Sequence, residues 1–396
     1  MIATSSQSGV PRYFVARRSG LAYLRTLDAF LAVMPRRSPR QWNTPPRRVL
    51  IAVGGQLGDA VLATGVFSFL ENAIPGVELG VLSASNASMV FREQPGIRWI
   101  HSVDHWKQRR SPASMMDRAV DHWRSWRRSV REIRAIGYDA AIDLYPFYPN
   151  MATVLWAAQV PRRIGYASGG AARLFTEALP APALDRHVVE HHATIATRLV
   201  DSTYARDAVT PCISSEPKHG VQGAPDDYVV VHMGAGSRPK EWSLVQWRTL
   251  IADLRTADYP VVLTGRGQRE REMANAITAT EPSVIDLVDR LEWPELVDVI
   301  RNADGVVSPD TAVAHIAAAV DTPSVVIWAG MNDPRNFGPR SARTTIVMHP
   351  VPCAPCFRRE GCSHMTCIRG VTPTDVRDAM SSLGILRDLS RHQPAT

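Results

Sequence analysis

Two glycine-containing segments carry a side chain that could do chemistry, and each follows an apolar run typical of a buried strand. GGQLGDAVLATG (54–65) places Asp59 at the start of a predicted helix, where the helix dipole keeps a carboxylate ionised. That carboxylate could cap the helix or act as a general base. HMGAGSRPKEWS (232–243) brings Lys240 to a glycine turn. This arrangement suits a phosphate or diphosphate, although a solvated surface lysine has the same pattern.

A third segment, SPDTAVAHIAAAV (308–320), predicts a helix with polar residues on one face. Asp310 and Thr311 can cap this helix, and His315 lies one turn beyond Thr311. A histidine on an alanine-rich helix is often packed in a core. Because the face that begins at Thr311 should point toward a ligand, we favour a functional His315.

These segments lie in two series of alternating strands and helices. The first series has predicted strands at 49–55, 78–84, 98–103, 139–145 and 162–167, and predicted helices at 59–70, 117–136 and 151–158. The second has predicted strands at 228–233, 260–265, 283–287, 305–310 and 323–330, and predicted helices at 243–257, 268–280, 293–302, 311–320 and after residue 371. The alternation predicts an α/β protein with two doubly wound parallel sheets.

The predicted organisation has five parts. They are a basic extension and linker (1–47), a first αβ domain (48–200), a linker (201–227), a second αβ domain (228–372) and a C-terminal helix and tail (373–396). In such a protein we expect the carboxyl ends of both sheets to face a central cleft, where ligands bind.

Composition excludes several classes of protein. The 396 residues are 45% hydrophobic, which excludes extensive disorder. We expect no transmembrane helix and no signal peptide, because the chain has neither a long apolar run nor an apolar core before a cleavage site. Residues 1–50 hold nine Arg against Asp28 as their only acid, so the net charge of +7 arises in the extension. That placement argues against a nucleic-acid-binding protein.

The N-terminal extension predicts a basic amphipathic helix. Its apolar residues recur at helical spacing between flanking arginines: Leu21, Leu24, Leu27, Phe30, Leu31 and Met34, with Arg17, Arg18, Arg25, Arg36 and Arg37. Such a helix can lie on an anionic membrane surface or pack on the body of the protein. We favour the membrane, which predicts a cytoplasmic protein held peripherally on the inner face of the cytoplasmic membrane.

Two further clusters leave alternatives open. Within the arginine-rich stretch 107–134, Arg124, Arg127 and Arg128 could hold an anionic lipid-linked glycan or form a solvated helix face. Four cysteines follow the second αβ series in the pattern C-x2-C-x5-C-x4-C: Cys353, Cys356, Cys362 and Cys367. They could bind a structural zinc, form a disulfide or remain free thiols, and we expect no catalytic role for them.

The motifs, in this order, resemble the ADP-heptose:lipopolysaccharide heptosyltransferase family (glycosyltransferase family nine). The matching stretches are Leu57-Gly58-Asp59, Gly234 to Lys240 with Trp242, Ser308 to His315, YDAAIDL (138–144), RRIGYA (162–167) and GMNDPRNFGP (330–339). The resemblance implies the GT-B architecture of two Rossmann-like domains. It also implies transfer of a sugar from a nucleotide donor with inversion and without a metal cofactor.

The resemblance also implies roles for single residues. Asp59 is then the base on the acceptor hydroxyl, and Lys240 offsets charge on the departing diphosphate. The implied donor contacts are Gly234, Gly236, Asp310, Thr311, Ala312, His315 and either Glu270 or Glu272, between which the spacing does not decide. The implied acceptor contacts lie in the first domain at Gly58 and Arg163, beside the arginines Arg124, Arg127 and Arg128.

The sequence departs from the family pattern at three positions. Gly54 and Gly55 stand where an arginine is common, Gly65 where a proline is common, and Ala312 where a glycine is common. The expected reaction is heptose transfer from ADP-heptose to a lipopolysaccharide-core or related envelope glycan. The alternatives are another nucleotide sugar, or a non-catalytic scaffold for envelope assembly.

Overall fold

The computed structural model describes residues 18–32, 44–104, 114–146, 150–168, 172–183, 185–200, 209–214, 225, 227–358 and 360–386. The chain divides into two compact units, Met1–Ser214 (unit 1) and Ser215–Thr396 (unit 2). The division lies inside the stretch predicted as a linker, 201–227, most of which is outside the described residues.

Unit 1 contains a parallel sheet of six strands in its described part. The strands are β1 (Arg48–Val53), β2 (Glu78–Ser83), β3 (Ile97–Ser102), β4 (Ala140–Asp143), β5 (Arg162–Tyr166) and β6 (Glu177–Leu179). Their order is β3-β2-β1-β4-β5-β6, as in a dinucleotide-binding fold. Every residue of β1 after Arg48 is buried, because a central parallel strand is covered on both faces.

Unit 2 repeats this arrangement. Its described strands are β7 (Val229–His232), β8 (Val261–Thr264), β9 (Ile285–Asp286), β10 (Gly305–Pro309), β11 (Ser324–Ile327) and β12 (Thr344–Val347). All pair in parallel, in the order β12-β11-β10-β7-β8-β9. Counted from the first strand of each unit, the two sheets have the same order.

The helices occupy the connections between strands. In unit 1 they are α1 (Arg18–Ala32), α2 (Leu57–Ala73), α3 (Met115–Ile136), α4 (Asn150–Ala157) and α5 (Val188–Ala196). In unit 2 they are α6 (Leu244–Thr256), α7 (Gln268–Thr278), α8 (Trp293–Arg301), α9 (Ala312–Ala319), α10 (Pro334–Phe337), α11 (Thr366–Arg369) and α12 (Pro373–Ser382). The prediction of two doubly wound parallel sheets is confirmed. The sequence analysis missed β6, α5 and β12 and the two four-residue helices α10 and α11.

Part of the predicted linker belongs to unit 1. The Cys212 N–H donates to Thr64 Oγ1 at 2.9 Å, and the Gln94 side chain donates to the Cys212 carbonyl at 2.7 Å. Gly65 makes this packing possible, because a Cβ there would lie 2.4 Å from the Thr210 carbonyl oxygen. Packing therefore explains why this chain has a glycine at position 65, where the family often has a proline.

The apolar stripe of α1 packs on unit 1. Leu24 is completely buried, and Leu31 contributes to a cluster with Leu174 and Phe175. Phe30 points outward, whereas Met34 is outside the described residues. The prediction that this stripe lies in a membrane is therefore wrong, because the body of the protein already covers it. Within the described residues, no helix has the length and apolar character needed to cross a bilayer.

Candidate active site

The first predicted motif forms the turn from β1 into α2, at the carboxyl edge of the unit 1 sheet. Asp59 lies in the first turn of α2, and its Oδ2 accepts a hydrogen bond from the Gln56 N–H at 2.7 Å. Asp59 therefore caps the helix, which was one of the two roles considered for it in the sequence analysis. Its half-buried position at the edge where ligands of such sheets bind is equally compatible with a base.

The two glycines before this turn make room for its side chains. Gly55 has a φ of +99°, and a Cβ there would lie 2.2 Å from Asp59 Oδ2. A Cβ on Gly54 would lie 2.5 Å from Cγ of Tyr145. An arginine at either position would strain the backbone or displace a neighbour, so the departure from the family pattern follows from packing.

A buried carboxylate that the sequence analysis did not single out lies beside this turn. Asp143 ends β4 and is paired in register with Ala52 of β1. It accepts hydrogen bonds from the backbone N–H groups of Tyr145 and Ala152, but burial dominates and raises the pKa of Asp143 to about 7. A polar residue at the end of an apolar strand was the signal that could have identified it.

The second motif brings Lys240 to the carboxyl edge of unit 2. Lys240 Nζ donates to Asp310 Oδ2 at 2.5 Å, and both side chains are largely buried. Trp242 anchors the loop: it is buried, and its Nε1–H donates to the Val371 carbonyl at 2.9 Å. The spacing K-x-W thus joins a charged group to a core anchor two residues away.

The third motif forms the end of β10 and the start of α9. Thr311 is the N-cap residue of α9, and its side chain makes no capping hydrogen bond, which leaves the first N–H groups of the helix to water or a ligand. Ala312 begins the helix, and His315 is buried one turn further along. The structure therefore places Thr311 and His315 as predicted, at the start of one short helix and one turn further along it.

Glu270 lies over the ends of two neighbouring strands. A Cβ on Gly234, which follows β7, would lie 2.1 Å from the Glu270 Cδ, and a Cβ on Gly265, which follows β8, would lie 2.6 Å from Oε2. The Arg266 N–H donates to Glu270 Oε2 at 2.8 Å. Only glycines leave room for this carboxylate at the edge of the sheet.

Glu272 occupies a different place. It is exposed on α7, where its Oε1 accepts a hydrogen bond from Gln268 Nε2 at 3.0 Å. The geometry therefore favours Glu270 over Glu272 as a ligand contact. Gly236 is exposed in the same loop as Lys240.

A histidine that the sequence analysis did not select completes this edge. His232 ends β7, and its Nδ1 lies 3.2 Å from Thr264 Oγ1 at the end of β8. Burial lowers the pKa of His232 to about 4, so the ring is neutral at pH 7. Its Nε2 lies 3.9 Å from Glu270 Oε2, which at that pH is a polar contact between a neutral ring and a carboxylate.

The family model of glycosyltransferase family 9 (heptosyltransferase) matches residues 126–366, more than half of the chain. The chain belongs to glycosyltransferase family 9. It is therefore a glycosyl-transfer enzyme, and the resemblance inferred from the motifs is confirmed. The match runs from the middle of α3 to the first residue of α11 and includes both motifs of unit 2.

Named relatives of this family 9 enzyme are similar over most of its length. Lipopolysaccharide heptosyltransferase 1 of Pseudomonas aeruginosa is 24% identical over 352 residues, covering 88% of this chain and 92% of the relative. Lipopolysaccharide heptosyltransferase 3 of Escherichia coli is 27% identical, covering 68% of this chain and 80% of the relative.

Solved structures share the fold. E. coli heptosyltransferase WaaC with ADP superposes with a TM-score of 0.69 at 19% identity, covering 85% of this chain and 99% of that one. A glycosyltransferase of family 9 from Veillonella parvula gives a TM-score of 0.68 at 18% identity, covering 87% of this chain and 99% of that one.

The basic residues expected to hold the acceptor of this family 9 enzyme lie in two kinds of surroundings. Arg163 is buried, and its guanidinium donates to the carbonyls of Leu174 and Val160. A side chain committed in this way holds the fold, so we remove Arg163 from the acceptor site. The other expected residues lie on exposed α3 or at the motif itself: Arg124, Arg127, Arg128 and Gly58.

The four cysteines lie in the segment that follows β12, and part of this segment packs on the loop after β11. The N–H groups of Cys356 and Phe357 donate to the carbonyls of Gly330 and Met331, and all four thiols are free. Cys367 is buried, whereas Cys353 and Cys362 are exposed. No three Cys, His, Asp or Glu side chains converge among the described residues. That the four cysteines bind a structural zinc stays a prediction. That the loop is dispensable for chemistry remains a prediction.

Proposed function

We propose that this enzyme transfers heptose from ADP-heptose to a lipopolysaccharide-core or related envelope glycan, with inversion and without a metal cofactor. Similar proteins are named lipopolysaccharide heptosyltransferases, and similar structures are named as complexes with ADP and with ADP-2-deoxy-2-fluoro heptose. The observation that carries the proposal is the Lys240–Asp310 pair beside the uncapped start of α9. Asp310 holds the Lys240 ammonium group in place, at the position where a diphosphate would bind.

Unit 2 is the proposed donor-binding unit. Lys240 and the N-terminal N–H groups of α9 neutralise the diphosphate, which lets ADP leave without a metal ion. A carboxylate repels phosphate, so Asp310 acts by orienting Lys240. Glu270, over Gly234 and Gly265, accepts hydrogen bonds from hydroxyl or amino groups of the nucleoside. His315 contributes to holding the phosphates and ribose of the nucleotide.

Unit 1 is the proposed acceptor-binding unit, and Asp59 is its base. Asp59 removes the proton of the acceptor hydroxyl, the oxygen attacks C1 of the heptose, and the bond from C1 to the diphosphate oxygen breaks. The electron pair of that bond leaves with ADP, and attack from the opposite face inverts C1. Gly58 precedes the base and leaves space for the acceptor.

A thermal-shift panel tests the donor assignment. ADP-heptose, ADP-glucose and the UDP, GDP and dTDP sugars are compared, since a ligand at 100 times its Kd stabilises by about 2.7 kcal/mol. ADP-heptose and ADP should raise the Tm most. Stronger stabilisation by another nucleotide would overturn the donor assignment. Anomeric NMR of the product tests inversion, and turnover unchanged by EDTA tests metal independence.

A further inference from the structure

Helix α3 presents an apolar end that no described part of the chain covers. Met115, Met116, Val120 and Trp123 are 67%, 73%, 37% and 56% exposed. They make up four of the eight exposed large hydrophobic side chains in the described residues, all within nine positions. Isolated surface hydrophobic residues need no explanation, whereas such a cluster indicates a binding surface.

The core side of α3 fixes where this end points. His122 Nδ1 lies 2.7 Å from the Asp104 carbonyl, and Ser125 Oγ accepts the Asp104 N–H at 3.2 Å. Asp104 follows the carboxyl end of β3, so α3 is level with that edge of the sheet at residues 122–125. At 1.5 Å per residue, Met116 then projects about 9 Å beyond the edge. The apolar end thus extends on the same side of unit 1 as Asp59.

Arginines follow on the same outward face of α3. Met116, Val120, Trp123, Arg127 and Arg131 lie along one stripe at helical spacing, opposite buried Ser129 and Ile133. The Arg127 guanidinium lies 4.6 Å from the centroid of the Trp123 ring. An apolar tip next to arginines on one face is typical of a helix that enters a membrane interface.

The carboxylates of α3 offset this charge only in part. Asp117 Oδ2 accepts from the capping residue Ser114 at 2.7 Å, and Glu132 Oε2 lies 3.0 Å from His101 Nδ1. Asp121 lies 3.9 Å from Arg124 at an exposed position. The helix contains six arginines and three acidic residues, so its surface carries a net positive charge.

We propose that α3 docks unit 1 on an anionic lipid bilayer, with Met115, Met116, Val120 and Trp123 in the headgroup–acyl boundary and Arg124, Arg127 and Arg131 on the headgroups. Charge complementarity selects anionic lipids, and the apolar tip selects a bilayer over nucleic acid, which offers no apolar layer to insert into. The docked surface brings the Asp59 edge of the sheet toward the membrane. This proposal does not depend on which sugar the enzyme transfers.

Vesicle sedimentation tests the proposal. The full chain should sediment at low salt with vesicles of phosphatidylcholine and phosphatidylglycerol, but not with phosphatidylcholine alone. The variant M116S/W123S should bind roughly tenfold more weakly for each side chain that fully inserts. The variant R124Q/R127Q/R131Q should lose about fivefold per arginine. Brominated phosphatidylglycerol should quench part of the wild-type tryptophan fluorescence, and less in Trp123→Phe.

A matched control comes from α6 of unit 2. Val245 is 73% exposed, and Arg248 lies one turn further on, so V245S/R248Q makes the same kind of change elsewhere. This control should sediment like wild type, as should Phe30→Ser on α1. Wild type that fails to bind anionic vesicles, or α3 variants that bind as wild type does, would overturn the proposal. The proposal would also be overturned by an arginine variant that no longer binds duplex DNA but still binds the vesicles as wild type does.

Discussion

The carboxyl edge of each sheet carries an aspartate at or just beyond the end of its fourth strand, but the two aspartates have different partners. Asp143 ends the fourth strand of unit 1, and Asp310 follows the fourth strand of unit 2. Asp143 accepts backbone N–H groups and its pKa is raised to about 7, whereas Asp310 accepts from Lys240 Nζ at 2.5 Å. Both carboxylates lie at the carboxyl edge of a parallel sheet, and their neighbours determine whether each supports a turn or orients a cation.

The first turn of each unit differs in the same sense. In unit 1, residues 54–56 connect β1 to α2, and Asp59 follows at once. In unit 2, residues 233–243 connect β7 to α6, which leaves room for Lys240 and its anchor Trp242. One edge is therefore built to present a base, and the other a cation.

The largest expected effect comes from removing the base while keeping the cap. Asp59→Asn retains an oxygen for the Gln56 N–H, so α2 should keep its cap. General base catalysis is worth about 10²- to 10⁴-fold, so turnover should fall by that factor. Donor affinity, measured by calorimetry, should change little because Asp59 belongs to unit 1.

Asp375 supplies the control for the cap. It stands in the same capping position of α12, where its Oδ2 accepts the Thr372 N–H at 2.8 Å. Asp59→Ala and Asp375→Ala should each lower the free energy of unfolding by about 1 kcal/mol. Asp375→Ala should keep full turnover. Near-normal turnover in folded Asp59→Asn would reduce Asp59 to a cap.

The second prediction removes the cation of unit 2. Lys240→Met should lower turnover by about 10²- to 10³-fold and weaken ADP-heptose binding as well, since the diphosphate is charged before and after reaction. The double variant K240M/D310N should regain stability, because Asp310 no longer remains as an unpaired carboxylate. Turnover recovered in the double variant would contradict a charge-bearing role for Lys240.

The third prediction concerns the buried carboxylate of unit 1. Between its ordinary pKa of 3.8 and about 7, folded Asp143 holds a proton that unfolding releases. Its contribution to stability therefore falls as the pH rises through that window, by at most about 4 kcal/mol. Asp143→Asn cannot ionise, so in urea unfolding it should gain stability over wild type at pH 8 but not at pH 4.

Asp375 gives the opposite sign. Cap hydrogen bonds from Thr372 lower the pKa of Asp375, so its contribution is present at neutral pH and is lost as the pH falls through that lowered value. Asp375→Asn should therefore cost stability at pH 8 and less at low pH. If Asp143→Asn also lowered the stability at pH 8, as Asp375→Asn should, then Asp143 would be ionised without penalty in the folded protein.

The sequence predicted most of the two sheets because their central strands are continuous apolar runs. Besides the four-residue helices α10 and α11, it missed β6, β12 and α5, for different reasons. β6 is three residues long, β12 is a half-buried edge strand, and the buried face of α5 includes His192, whose pKa burial lowers to about 3. None of these has the pattern of a fully apolar core element.

Other errors arose where one pattern fits two environments. The stripe of α1 would suit a membrane or a protein core, and only packing against Leu174 and Phe175 decides between them. Arg163 lies in a motif and carries a charge, yet its donors are used by buried carbonyls. Spacing along the chain contains no information about either partner.

The smallest expected effect separates two glutamates on one helix. Glu270 lies over Gly234 and Gly265, whereas Glu272 is exposed and bonded to Gln268. Glu270→Gln removes a charged acceptor from the proposed nucleoside contact and should weaken ADP binding about tenfold, as expected for one charge-assisted hydrogen bond. Glu272→Gln is the matched control, with the same chemistry two residues away, and should leave binding unchanged in calorimetry.

Gly234→Ala should resemble Glu270→Gln, because the added Cβ would lie 2.1 Å from the Glu270 Cδ and displace the side chain. If Glu272→Gln weakened ADP binding and Glu270→Gln did not, the nucleoside would lie outside the edge formed by β7 and β8, and the contrast drawn between the two units would apply to the diphosphate alone.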